Sequence, residues 1–159
     1  MTEKVYISGI NKIQLKHLIE CTLKELGFYS INAFKLINGT IAHESQYARY
    51  IKQVRGPALG IVQMEPPTHD DIVESYLHFK PELAMKVLEI TGSNGFNSSQ
   101  LEYNLKYAIA FCRLHYLRVP YPIPSDIMDI AKYWKEHYNT YKGKGTVEQF
   151  INHYKKYVL

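Results

Sequence analysis

One acid in this chain is placed for chemistry. Glu44 closes an apolar segment, 33–42, in which Phe34, Ile37 and Ile41 recur at three- and four-residue steps, the spacing of a helix with one buried face. The polar run from Ser45 and the Gly56-Pro57 pair end that helix just after Glu44, ahead of the apolar patch 58–62. A carboxylate at the end of a buried helix, facing a loop, is partly desolvated. Desolvation disfavours the charged form and keeps the acid protonated near neutrality, as a general acid must be. By position alone Glu44 reads first as an ordinary solvated residue at a helix end, so its neighbours decide. Gln63 lies in an apolar run where an unpaired amide would be costly; it either bonds to backbone or faces a cleft where a ligand's polar group meets it. Met64 packs either under that ligand or in the core.

Glu44-Ser45, then Gln63 nineteen residues after the Glu within Gly60-Ile61-Val62-Gln63-Met64, then Pro66 and Thr68, resembles the ES and G-x-x-Q-x-x-P-x-T signatures of soluble lytic transglycosylases. These belong to the goose-type lysozyme superfamily. Tyr138-Asn139 is similar to that family's third element, an aromatic helix ending in YN before a glycine; here Thr140-Tyr141-Lys142 precede Gly143. The matched elements run from Ala33 to Gly145. The resemblance implies one lysozyme-like domain over 1–159, with 1–30 an N-terminal helical segment outside the match. It implies Glu44 as the catalytic acid and Ser45, Gln63, Met64, Tyr138 and Asn139 as substrate-binding residues. The substrate it implies is the glycan strand of bacterial peptidoglycan, cut at the β-1,4 bond between N-acetylmuramic acid and N-acetylglucosamine.

Most glycosidases set a second carboxylate opposite the first. No Asp or Glu lies between Glu44 and Gln63. The family that the chain resembles works with one Glu, which donates a proton and afterwards takes one from the muramyl 6-hydroxyl. The expected activity is therefore that of a lytic transglycosylase leaving 1,6-anhydromuramyl ends. A goose-type muramidase acting as a phage endolysin is the alternative, with Glu65, Asp70 or Asp71 supplying the base. An alternative of another class is a catalytically weak virion structural or wall-binding protein. A nucleic-acid-binding helical domain would need a basic cluster, and none stands out.

The composition bounds these readings. With 159 residues, 46% apolar and 21% charged, the chain is a single globular domain with a real core and no membrane segment. A net charge of +4 suits anionic partners. The first ten residues carry no charged-then-apolar export pattern, so the expected route starts in a host cytoplasm and reaches the wall through a separate pore or in a virion. His43, His69 and Asp70 match no ligand spacing, so neither metal nor cofactor is expected. Cys21 and Cys112 read as reduced core residues of a monomer. Fourteen tyrosines are read as boundary packing, Trp134 as core, and Lys142-Gly143-Lys144-Gly145 as a solvated turn.

The elements that must hold these residues are helical, about seven in number, with at most a short β excursion between Tyr47 and Gly60. The stripe Leu15, Leu18, Ile19, Leu23, Leu26, ended by Gly27, predicts a first helix over 11–26 that packs against the helix carrying Glu44. Further helices are expected over 71–79 and 81–90, then a mobile loop at 91–95. Ser99 and Glu102 have capping-box spacing ahead of a long central helix over 101–117. Pro120, Pro122 and Pro124 force an extended connector, Ser125 or Asp126 caps a helix to His137, and Thr146 with Gln149 starts the last one, to Tyr157.

Overall fold

Five of the described helices begin at a polar side chain that caps them. Asn11 accepts from the amides of Ile13 and Gln14, Ser30 from Ala33, Asn104 from Tyr107, Asp126 from Met128 and Asp129, and Thr146 from Gln149. These bonds satisfy helix N–H groups that have no partner within the helix. A computed structural model describes residues 9–159 and is mainly α-helical. Its helices are α1 Lys12–Leu26, α2 Ile31–Ser45, α3 Pro66–Ser75, α4 Pro81–Thr91, α5 Gln100–Tyr103, α6 Leu105–Leu117, α7 Ile127–Trp134 and α8 Val147–His153. No strand occurs among the described residues; the β excursion reduces to isolated bridges, Lys52 with Leu59 and Leu59 with Met64. No described helix is long and apolar enough to cross a membrane.

Two helices organise the core. α6 buries Tyr107 through Cys112 together with Leu114 and Tyr116, and α1, α3 and α4 pack around it. α2 is covered by α1, α6, α7 and α8, which leaves Leu36 through Ala42 out of water. The α1 stripe is fully buried at Leu15, Ile19 and Leu23, each worth ~1.5–3 kcal/mol relative to an exposed side chain. α1 packs on α2 as expected, so the N-terminal helix belongs to the same core as the segment carrying Glu44.

Several boundaries differ from the sequence reading. The long helix expected over 101–117 is broken at Asn104, whose backbone is extended. Its side chain caps α6, and its amide also donates to the carbonyl of Thr91, while Ser99 makes no cap bond. α3 begins at Pro66 because prolines are tolerated where helix N–H groups lack partners, and it stops at Ser75 before a 3-10 turn, Leu77–Phe79. α7 and α8 each run on into a π-helical turn, Lys135–Asn139 and Tyr154–Val158. The 91–95 loop is tied down by Ser93 donating to Gln100 and Gln100 donating to Gly95. Cys112 is in the core, but Cys21 is only half-buried, with its sulfur 3.4 Å from the His17 ring. Residues 1–8, most of the segment read for an export pattern, lie outside the described residues.

Candidate active site

The C-terminus of α2 is finished by an unusual turn. Gln46, Tyr47 and Ala48 all adopt positive φ, at 51°, 59° and 68°. A left-handed non-glycine residue costs on the order of 1–3 kcal/mol, so three in succession must be held. Ser45 holds them: its hydroxyl donates to Ile41 O at 3.0 Å and accepts from the Ala48 amide at 2.9 Å. Tyr47 adds a bond from its phenol to Asn38 Oδ1, 2.6 Å, within the core. Ser45 is fully buried and does not line the adjoining cleft. In this structure its hydroxyl latches the turn through backbone and does not face the cleft.

That turn leaves Glu44 on the wall of a cleft of about 820 Å³. Its Oε1 accepts from the indole Nε1 of Trp134 at 3.2 Å, and among the described residues it is in no ion pair. Burial pushes its pKa up to about 7, against the Trp134 bond, which favours the carboxylate. The nearest imidazoles add no charge. His43 is pushed down to about 4 by burial, with His153 and Lys135 acting in the same direction. His115 is likewise pushed down to about 4 by burial; its Nε2 donates to His137 O, leaving Nδ1 to accept from Arg118. The cleft acid thus holds its proton well above the ordinary carboxylate range, with no ion-pair partner to fix it as carboxylate.

Trp134 is the residue that sequence reasoning assigned to packing alone. It is fully buried against His43 and Phe150, and it is also the hydrogen-bond donor to the acid. The one signal available was general: a buried indole N–H needs an acceptor, and this is the only Trp in the chain.

Gln63 bonds to backbone and borders the cleft. Its Nε2 and its backbone N–H both donate to Gly60 O, at 2.9 and 3.0 Å, while Oε1 has no partner among the described residues and the residue lines the cleft. Gly60 has φ of 78°, and a Cβ there would run into the Leu101 carbonyl, so glycine is required where this loop meets α5. Met64 borders the cleft but is 2% exposed and pairs through its backbone with Leu59, which puts most of it in the core. Tyr138 donates its hydroxyl to Val62 O at 2.7 Å and stacks on Tyr116, so its ring borders the cleft while its polar tip braces the Gln63 loop. Asn139 accepts from Lys135 Nζ at 2.6 Å and also lines the cleft.

The segment read as a solvated turn is a lip of this cleft. Gly143 packs on the Asn139 amide and Gly145 on the His43 and Trp134 rings, each so closely that a Cβ would collide. Lys135 fixes the lip by donating to Gly143 O at 3.0 Å. Lys142 and Lys144, both exposed, also line the cleft, with Lys142 Nζ over the Tyr141 ring. Of the three acids considered as a second carboxylate, only Glu65 lines the cleft. Asp70 is bonded to His69, and Asp71 to Arg118 and Ser75. Among the described residues no three His, Cys, Asp or Glu side chains converge as a ligand set. Burial drives the Cys112 thiol well above its ordinary pKa, which removes it as a nucleophile at neutral pH.

No protein-family model matches this chain, and neither a curated protein nor a solved structure is similar enough to count as a match.

Proposed function

We propose that the protein is a peptidoglycan-cleaving glycosidase in which Glu44 is the single catalytic acid, working as a lytic transglycosylase. The observation carrying this reading is the state of Glu44: a carboxyl in an open cleft, raised to about 7 by burial, with a neutral donor and no cation beside it. An acid poised near the working pH can both give and accept a proton in one turnover. In the first half, Glu44 protonates the glycosidic oxygen as the bond to the muramyl C1 breaks. Trp134 stabilises the carboxylate that results. In the second half that carboxylate accepts the proton of the muramyl 6-hydroxyl while its oxygen bonds to C1, closing the anhydro ring. No water is consumed, and Glu44 ends protonated as it began. The tethered hydroxyl has a large effective-concentration advantage over solvent.

A second reading has one observation in its favour. Glu65 lines the same cleft, and as a general base for water it would make the enzyme a goose-type muramidase. Mass spectra of muropeptides after digestion separate the two. Transglycosylation leaves 1,6-anhydromuramyl ends, lighter by one water than hydrolytic ends and not reducible by borohydride, and Glu65→Gln preserves them. Reducing ends that disappear in Glu65→Gln would establish the muramidase. A zymogram without a cleared band, from a protein that still sediments with the wall, would leave a virion structural or wall-binding role.

A further inference from the structure

Three exposed lysines line the cleft from two separate segments. Lys52 comes from the loop after α2, and Lys142 and Lys144 come from the glycine lip. All three are exposed, and among the described residues none is ion-paired. The only acids among the residues lining the cleft are Glu44 and Glu65, and burial favours the neutral form of Glu44. The lip that presents two of the lysines is built into the site. Lys135 bonds both Gly143 O and Asn139, and Gly145 is pressed onto Trp134, the partner of Glu44. Fixed cations around a cleft raise the local concentration of anions and orient them on entry.

We infer that Lys52, Lys142 and Lys144 select glycan strands by the free carboxylates of the peptides that hang from each muramyl residue. This rests on the glycan-cleaving reading and adds a substrate class to it: strands with free side-peptide carboxylates are preferred over strands whose carboxylates are amidated. A neutral sugar polymer offers the three ammonium groups nothing. A muramyl strand carries such an anion on the sugar at each scissile bond.

The test uses the full chain carrying Glu44→Gln, which holds strands without cutting them, and soluble peptidoglycan fragments stripped of teichoic acid so that carboxylate is the only anion. Binding is read by fluorescence anisotropy at low salt. Exposed ion pairs each contribute at most a few-fold, so fragments with free carboxylates should bind about tenfold tighter than the same fragments amidated by carbodiimide coupling. Lys142→Gln with Lys144→Gln should remove most of that preference at unchanged melting temperature, Lys52→Gln should remove part of it, and added salt should erase it. Equal Kd values for the two fragments, no binding of either, or a preference that survives in the lysine variants would overturn the inference. Failure of the glycosidase reading looks different: protein with Glu44 intact would leave both walls uncut while the carboxylate preference in binding persisted.

Discussion

Trp134 Nε1 lies 3.2 Å from Glu44 Oε1 and is the only side-chain hydrogen-bond donor to that carboxyl among the described residues. The two are ninety positions apart, on α2 and at the end of α7, and Gly145 of the lip seals the indole from the other side. A neutral donor leaves the acid free to cycle between its two states; an arginine or lysine in the same place would hold it ionised, as Arg118 holds Asp71.

Replacing Trp134 by Phe removes the donor and retains an aromatic ring. The bond favours the carboxylate, so its loss raises the Glu44 pKa further. The alkaline limb of the pH-rate profile should move to higher pH, and the rate at the optimum should fall because the carboxylate formed at leaving-group departure is no longer stabilised. Some stability is lost as well, since the smaller ring leaves a void. A profile measured on folded protein separates the effects. An alkaline limb that stays in place or moves to lower pH would rule out the assigned role of Trp134.

Burial of Glu44 also has a signature in stability. Its folded pKa, about 7, lies above the ordinary 4.5, so the native state holds the proton more tightly than the unfolded chain. The native state is therefore penalised as pH rises from 4.5 to 7, and the penalty is complete above that window. Glu44→Gln should stabilise the fold by up to ~3 kcal/mol at about pH 8 and by nearly nothing at about pH 4. His43 and His115 act in the opposite sense. Their folded pKa values, about 4, lie below 6.5, so their contribution is lost as pH falls through that interval. Both are present in parent and variant, and they cancel in the difference. Urea unfolding at the two pH values checks this, and a gain independent of pH would show that Glu44 is not desolvated.

Ser45 tests the latch at the end of α2. Ser45→Ala removes the latch on three left-handed residues and leaves the Ala48 amide without its partner, at a cost of ~1–3 kcal/mol. KM of the remaining folded enzyme should stay near that of the parent. A raised KM at unchanged stability would return Ser45 to the substrate.

The outline of this fold was legible because its helices announce themselves locally. Asn11, Asp126 and Thr146 are caps of a few residues' reach, and the α1 stripe repeats at helical steps. The place of Glu44 at the end of α2, beside a buried face, was legible for the same reason, whereas position alone favoured a solvated acid there. What escaped was set by contacts distant in sequence. Asn104 breaks the central helix partly because its amide reaches the Thr91 carbonyl across a loop, a bond that no periodicity shows. Trp134 reads as core from its own neighbours, and only the packing of α7 against α2 brings its N–H to Glu44. The lip was missed because alternating lysine and glycine looks like a turn until His43, Trp134 and Asn139 are known to lie beneath it.

The most direct test of the central claim is the clearing of a turbid suspension of purified sacculi by Glu44→Gln. The substitution keeps the volume of the side chain and an oxygen for Trp134, and removes the transferable proton. The variant should fold, sediment with sacculi as the parent does, and clear them at a rate lower by at least ~100-fold, the usual contribution of a general acid. Clearing at close to the parent's rate would contradict the assignment of Glu44 as the catalytic acid.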